Sequence, residues 1–185
     1  MKLIVAITAA SGAIYARQLV DHAIADSNVE SVAVIYSSSA REVVAYEGEK
    51  IGQDPKIVEL ANNDLFAPPA SGSANFDAMV IIPASMGTIG RIASGASDSL
   101  ITRSADVMLK ERKKLIIVAR EAPLSLIHLR NMVTLTESGA IIFPASPTLY
   151  SKPQTIEELA QTVSARAAKM AGINCSSFEW KGGCC

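Results

Sequence analysis

The chain has 185 residues and a formal net charge of −1, and 49% of its residues are apolar while only 5% are aromatic. The length suits one domain with its own core, and the near-neutral charge gives no reason to expect nucleic acid or an anionic membrane as a partner. No apolar run reaches the roughly 18 residues that span a bilayer, and the glycine-bound start does not have the form of a signal peptide. We therefore expect a cytoplasmic protein.

Five short apolar runs predict buried strands, at residues 3–8, 31–37, 78–84, 114–119 and 140–145. Helix-period stretches cover residues 14–26, 39–47, 55–62, 98–112, 125–137 and 156–172. We expect Ser97 or Asp98 to cap the helix at residues 98–112, and Ser125 to cap the helix at residues 125–137. We expect Gly172 to end the helix at residues 156–172. The alternation predicts a Rossmann-like (flavodoxin-like) α/β fold, in which one domain forms an open parallel sheet with helices on both faces.

The cysteines all lie near the end of the chain, at Cys175, Cys184 and Cys185. A disulfide framework would distribute them through the fold, so we expect none. The final GGCC could form a lipidated or metal-binding tail, but no histidine or polybasic segment stands beside it. The expected organisation is a domain over residues 1–174 followed by a frayed tail over residues 175–185.

Small and hydroxyl residues follow four of the five predicted strands, in segments 8–12, 37–39, 85–88 and 146–150. Ligands of an open parallel sheet bind beyond the carboxyl ends of its strands, where helix amino termini collect. Each segment alone is a weak signal, because Ser37 or Ser85 could simply cap the next helix. Together they predict a nucleotide or a phosphorylated ligand, although the segment TAASGA lacks the G-x-G-x-x-G spacing that would indicate NAD.

The fourth predicted strand ends in Arg120 and Glu121, followed by Pro123. The charged pair is either a solvated strand end or the working edge of a site. Lys110 stands ten residues before Arg120, so that two cations could converge on one anion. The Pro/Gly/Ser loop at residues 67–77 is long for a compact domain, and such loops are more often functional than idle.

Four segments together resemble the UbiX/Pad1 family of flavin prenyltransferases. They are ITAASGAIYARQL, APPASGS, the long run from MVIIPASMGTIG to LIHLRNM, and GAIIFPASPTLYSKP. The resemblance covers residues 3–173 and implies that the chain joins a dimethylallyl group from dimethylallyl monophosphate to N5 and C6 of reduced FMN, without a metal. It further implies that prenylated FMN passes to a UbiD-type decarboxylase and that the chain forms a homo-oligomer, typically a dodecamer.

The resemblance also implies the site residues. FMN would be held by Ala9, Ala10, Ser11, Ser37, Ser85, Met86, Gly87, Thr88 and Arg120. Dimethylallyl phosphate would be bound by Lys110, Arg120, Tyr150, Arg166 and Trp180, with Tyr150 and Arg166 arriving from a neighbouring subunit. The catalytic set would be Glu121 as the proton carrier, Ser11 as its assistant, Glu47 and Lys110, and Arg103 matches a family arginine whose role we leave open.

Three positions depart from the family pattern. Ala9 replaces a glycine, which is tolerable only if its φ is negative. Ala84 stands where a cysteine is frequent, which we interpret as a packing change. Leu65 stands where some members carry a tryptophan against the dimethylallyl group, and Trp180 could supply that aromatic surface from another subunit.

Two other functions were weighed. A flavoprotein that decarboxylates cysteine-containing peptides or pantothenoyl-cysteine would share the fold, but that family relies on a catalytic histidine and a PXMNxxMW loop, whereas this chain reads PASMGTIG. Neither His22 nor His128 forms a triad or a metal constellation with other residues in the sequence. A flavin carrier without chemistry would not need the second phosphate site that the cationic residues imply.

Overall fold

The fold is a single parallel sheet covered by helices, in a computed structural model that describes residues 1–178. The strands within these residues are β1 (Lys2–Ile7), β2 (Ser31–Tyr36), β3 (Ile57–Leu60), β4 (Ala78–Ala84), β5 (Lys114–Ala119) and β6 (Ile141–Pro144). The helices are α1 (Ala13–Ala25), α2 (Ala40–Tyr46), α3 (Met86–Ala93), α4 (Leu100–Lys110), α5 (Leu126–Glu137) and α6 (Ile156–Ala171). The predicted Rossmann-like fold is confirmed, with strand order β3-β2-β1-β4-β5-β6.

The central strands are apolar, apart from the lysine that begins each of β1 and β5, because both of their faces are covered. Alternate side chains of β1 enter two separate cores. Leu3 and Val5 pack in the core that α1 and α6 complete, whereas Ile4 and Ala6 pack in the core that α3 and α4 complete. Every residue of β4 is buried, so an unbroken apolar run is the pattern that this position requires.

The prediction of a helix at residues 55–62 is wrong. This segment contains β3, which pairs in parallel with β2 at the edge of the sheet. Ile57 and Leu60 are half-buried while Val58 and Glu59 are exposed. The spacing of Ile57 and Leu60 imitates a helical period, and only the partner strand decides in favour of a strand, because β-structure depends on neighbours that the local sequence does not reveal.

The start of α4 also differs from the expectation. Ser99, rather than Ser97 or Asp98, caps this helix, and its hydroxyl accepts a hydrogen bond from the Thr102 amide at 3.3 Å. The carbonyl of Asn62 accepts the Leu100 amide at 2.7 Å, so the segment after β3 fixes where α4 begins. The caps predicted at Ser125 and Gly172 are confirmed.

The order of the strands locates the ligand crevice. β1 lies between β2 and β4, so the chain leaves β1 to one side and later returns on the other. Ligands of open α/β sheets bind at this switch point, outside the carboxyl ends of the strands. None of the helices within residues 1–178 combines the length and the apolarity needed to cross a bilayer.

Candidate active site

A buried threonine joins the two loops that flank the switch point. Thr8 follows β1, and its hydroxyl donates to the Pro83 carbonyl at 2.7 Å and accepts the Ser85 amide at 2.8 Å. Only 1% of Thr8 is exposed, so these bonds have no competition from water. The turn from β4 into α3 is therefore fixed against the end of β1.

The amino terminus of α3 is open to a ligand. Ser85 caps the helix, and its hydroxyl lies 3.1 Å from the hydroxyl of Thr88. Apart from its own helix and chain neighbours, nothing within residues 1–178 lies within 4 Å of the point where a side chain on Gly87 would begin. The amides of Met86 and Gly87 belong to the first turn of the helix, where amides have no acceptor within the helix. They also have no hydrogen-bond acceptor among the described residues. Such a terminus attracts phosphate.

The amino terminus of α1 is already filled by a carboxylate. Oε2 of Glu47 accepts the amide of Ala13 at 2.7 Å and that of Gly12 at 3.0 Å. Gly12 has a φ of 108°, a left-handed conformation that favours glycine. A β-carbon there would lie 2.7 Å from the ring of Tyr15. An incoming anion is therefore disfavoured at the start of α1, which carries its own anion.

Electrostatic interactions connect Glu47 with two other groups at this edge. Burial raises the pKa of the Glu47 carboxyl, but hydrogen bonds from the Ser11 hydroxyl and from the amides of Ala13 and Gly12, together with the charge of Arg120, leave that pKa below its usual value. Burial raises the pKa of the Tyr15 phenol, which the charge of Arg120 opposes. Tyr15 was not predicted as a site residue from the sequence. The pattern that could have indicated it is an aromatic residue three positions after the turn glycine Gly12.

The structure brings all nine of the predicted FMN residues to the carboxyl edge. They follow the ends of β1, β2, β4 and β5 at Ala9, Ala10, Ser11, Ser37, Ser85, Met86, Gly87, Thr88 and Arg120. The amide of Ser37 donates to the Ile7 carbonyl at 2.9 Å, and that of Arg120 to the Ala84 carbonyl at 3.1 Å, so both loop starts are tied to neighbouring strands. Ala9 is not among the described residues with positive φ, which meets the condition set by its substitution for glycine.

Glu121 is exposed beside Arg120 at this edge. Its Oε1 accepts the amide of Ala122 at 3.0 Å. Because β5 ends at Ala119, both charged residues lie beyond the strand, in the segment that leads to α5. Glu121 is therefore accessible to a ligand, and the hydrogen bond that it accepts within residues 1–178 is confined to its own turn.

The expected convergence of Lys110 with Arg120 does not occur within one chain. Lys110 ends α4 and precedes the amino end of β5, whereas Arg120 follows its carboxyl end. A strand of this length separates them by about 20 Å. Lys110 pairs instead with Glu111. The short sequence separation was misleading because it spans a whole strand.

Tyr150 and Arg166 both line a groove of about 860 Å³ beside β6. The amide of Thr148 donates to the Thr162 hydroxyl at 3.0 Å, which holds the loop after β6 against α6. Phe178 also lines the groove, so the end of the described chain runs beside these two residues. Trp180, the predicted aromatic contribution, lies outside the described residues.

Other predicted features have plainer surroundings. Arg103 donates from Nε to the Ala70 carbonyl at 3.1 Å and pairs with Asp106 at 2.8 Å. His128 serves as a cap, since its Nδ1 accepts the Ser125 amide at 3.2 Å. Leu65 is 44% exposed. Within residues 1–178 there is no cluster of histidine, cysteine and acidic residues that could hold a metal ion.

Comparisons with known proteins agree over nearly the whole chain. The model of the family described as Flavoprotein matches residues 1–174. A relative from Methanocaldococcus jannaschii, described as flavin prenyltransferase UbiX, is 43% identical over 97% of this chain and 97% of its own. The solved structure of AnUbiX (PadA1) in complex with FMN and dimethylallyl pyrophosphate is 38% identical, covers 97% of this chain and 98% of that one, and has a TM-score of 0.84.

A second solved structure is described as a dodecameric FMN-dependent Ubix-like decarboxylase from Escherichia coli O157:H7. It is 34% identical, covers 98% of this chain and 100% of that one, and has a TM-score of 0.89. The FMN-dependent cysteine decarboxylase TvaF is only 17% identical, with 93% of this chain and 98% of that one covered and a TM-score of 0.63. At that identity TvaF shares the fold and nothing more is implied.

Proposed function

Because the chain belongs to the UbiX flavin prenyltransferases, within the family described as Flavoprotein, we propose that it transfers the dimethylallyl group of dimethylallyl monophosphate to N5 and C6 of reduced FMN. The observation that carries this proposal is the contrast between two helix amino termini at the β1–β4 switch point. That of α1 is filled by Glu47, while that of α3 is open at Gly87. When bound, reduced FMN supplies the nucleophilic nitrogen and the carbon at which the new ring closes.

The carboxyl edge suits FMN in its shape and its charge. Ser85 and Thr88 present hydroxyls at the open start of α3, and Ser37 presents another after β2. Hydroxyls and first-turn amides are the donors that a phosphate or a flavin ring edge accepts. We assign FMN to the segments 9–11 and 85–88, with Ser37 and Arg120 as further contacts.

Departure of phosphate from the allylic carbon requires neutralisation of the leaving group. Lys110, Arg120 and Arg166 offer three cations for this purpose, and the Tyr150 hydroxyl is a further donor. Three cations can neutralise a departing monophosphate without a divalent metal. Aromatic surface from Trp180 would shield the allylic cation from water.

Within one chain Lys110 lies before the amino end of β5, whereas Arg120 follows its carboxyl end. A phosphate site that combines Lys110 with Arg120 therefore needs more than one copy of the chain. This requirement supports a homo-oligomer, and the dodecameric relative favours that assembly. Arg120 would come from one copy, with Lys110, Tyr150 and Arg166 supplied by neighbouring copies.

Proton transfer during ring closure is assigned to Glu121. It is exposed next to Arg120, so its carboxylate can face both the flavin and the departing phosphate. Ser11 assists: the pKa of the Glu47 carboxyl lies below its usual value, so at neutral pH the Ser11 hydroxyl has an ionised acceptor. A UbiD-type decarboxylase as recipient of the product and a cytoplasmic location remain predictions from the sequence.

An anaerobic reaction tests the proposed function. The purified protein is incubated with reduced FMN and dimethylallyl monophosphate, and the extracted flavin is analysed by mass spectrometry. We expect the flavin to gain one dimethylallyl unit, and parallel reactions with oxidised FMN or without the donor to give unmodified flavin. A protein that binds FMN tightly but leaves it unmodified would be a flavin carrier, and the proposal would be wrong. A reaction with dimethylallyl pyrophosphate compares the two donors.

A further inference from the structure

The loop at residues 67–77 contacts the face of α4 that carries the predicted phosphate-binding lysine. It consists largely of two 3-10 turns, Pro68–Ala70 and Gly72–Ala74. Arg103 and Lys110 are seven residues apart on α4 and therefore share one side of the helix. The carbonyl of Ala70 accepts Arg103 Nε at 3.1 Å, which ties the first turn of the loop to this side.

The second turn of the loop makes a closer approach to Glu111, the residue after α4. A β-carbon on Gly72 would lie 2.3 Å from Oε1 of Glu111 and 2.8 Å from its carboxyl carbon. Only glycine leaves room for the Glu111 carboxylate at this point. The carboxylate therefore lies directly against the backbone of Gly72. Its position is therefore set by the loop and not by its own rotamer preference alone.

The same carboxylate holds Lys110. Nζ of Lys110 donates to Oε1 of Glu111, the oxygen that faces Gly72. The hydrogen bond from Lys110 and the charges of Lys110 and Lys113 keep the pKa of Glu111 below its usual value. Ion pairs between two mobile exposed side chains contribute little, because both must be ordered. Here the contact with Gly72 already restricts one partner, so Lys110 alone remains to be ordered.

We propose that Glu111, seated on Gly72, is a positioning residue that orients the Lys110 ammonium toward the phosphate of dimethylallyl phosphate bound in the site of a second copy of the chain. This inference rests on the proposed function. The APPASGS segment lies against α4, so FMN binding does not explain its role. The positioning of Glu111 would account for it. Glu111 acts through Lys110, so its effect falls on the donor phosphate and leaves FMN untouched.

The first test is Glu111→Gln, which keeps the shape of the side chain and removes its charge. We expect the KM for dimethylallyl monophosphate to rise about three- to fivefold, as for loss of one exposed charged contact. The turnover at saturating donor, the Kd of FMN and the unfolding temperature should not change. Glu30→Gln, at an exposed carboxylate before β2 and outside any helix, is the matched control and should leave all four quantities unchanged.

The second test is Gly72→Ala, which moves the Glu111 carboxylate without altering any charge. Gly72 has no positive φ, so alanine is compatible with its backbone and the clash falls on the flexible end of Glu111. We expect the KM for the donor to rise as in Glu111→Gln. The control is Gly52→Ala, where a β-carbon meets nothing within 4 Å. The double variant should be no worse than Glu111→Gln alone, because both changes act through one contact.

The outcomes separate this inference from the proposed function. A wild-type protein that does not prenylate FMN would remove the proposed function and this inference with it. If the wild type is active and Glu111→Gln has an unchanged or lower donor KM, only the positioning role is wrong. Equal weakening of FMN and donor binding would also overturn it, because it would mean that Glu111 supports the fold in general. A selective increase in donor KM in both variants supports it.

Discussion

The carboxylate of Glu47 accepts the backbone amide of Ala13 at 2.7 Å and thereby closes the amino terminus of α1 from the end of α2. The partial positive charge of a helix amino terminus is most stable beside an anion. An internal anion therefore occupies the position where a βα unit commonly binds phosphate, and it also fixes the loop that carries Ser11. Glu47 thus couples the shape of the site to the stability of α1.

Substitution of Glu47 by glutamine should affect stability and FMN binding together. The amide keeps one acceptor but brings an N–H toward the amides of Gly12 and Ala13. Loss of a cap costs about 1 kcal/mol, which lowers the unfolding temperature of a chain of this size by about 2–4 °C. Thermal denaturation and an FMN titration measure the two effects. Glu30→Gln, an exposed carboxylate before β2, serves as the control; an equal loss in both variants would contradict the capping role.

The stabilisation by Glu47 should depend on pH in one direction. Its pKa in the folded protein lies below the usual value of 4.5. A depressed pKa contributes stability that is present above the unfolded pKa and is lost as the pH falls through the folded pKa. The difference in unfolding temperature between wild type and Glu47→Gln should therefore be constant from about pH 7 to pH 5 and should decrease below about pH 4.5. A difference that grows on acidification would be incompatible with this assignment.

Glu121→Gln should retain FMN and stop prenylation. Within residues 1–178 the hydrogen bond that this side chain accepts is local, from the amide of Ala122, so the variant should fold normally. Without a carboxylate to accept the proton, ring closure should slow by about a hundredfold or more. Flavin mass analysis measures the reaction and an FMN titration measures binding. Normal turnover would remove Glu121 from the mechanism, and weakened FMN binding would make it a binding residue instead.

Much of the fold followed from the sequence because burial on both faces leaves a clear signal. The strands β1, β4 and β5 are apolar apart from the first residue of β1 and of β5, and they were predicted. In contrast, β3 lies at the sheet edge and resembles a helical stretch in isolation. The carboxyl edge was predicted as the site because parallel strands bring their ends together.

Contacts between distant residues were harder to predict. Glu47 meets Ala13 across 34 positions, and no local pattern indicates that contact; its assignment came from family resemblance. Lys110 shows the opposite case, because it stands close to Arg120 in sequence but at the other end of β5 within one chain. Spacing along a chain indicates proximity within one helix or turn, and it fails when a strand intervenes.

Arg166→Ala should weaken binding of the phosphate donor far more than binding of FMN. Arg166 is exposed in the groove that also contains Tyr150, away from the open start of α3. Loss of a charged hydrogen bond costs roughly 1.5–3 kcal/mol, or about ten- to hundredfold in the donor KM. Steady-state kinetics give the KM, and an FMN titration gives the comparison. Arg130→Ala on α5 is the control, and equal weakening of both ligands would show that Arg166 has a structural role.

Mixing two inactive variants tests whether each site combines residues from different copies. Lys110→Ala and Arg120→Ala should each be nearly inactive alone, because each lacks one of the phosphate-binding cations. Since one chain places these residues at opposite ends of β5, an oligomer of both variants can contain sites with an intact Arg120 from one copy and an intact Lys110 from another. Random mixing at equal amounts should restore about a quarter of the sites.

Activity should appear only when the two variants are unfolded and refolded together, or are expressed in the same cell, so that mixed oligomers form. Two preparations combined after assembly are the control, since their subunits have not exchanged. Mass spectrometry of the intact oligomer verifies that both variants are present. Within one chain Lys110 and Arg120 lie at opposite ends of β5, so they can reach the same phosphate only in a site shared between copies. Mixed oligomers that remain inactive would therefore show that these two residues do not serve one site.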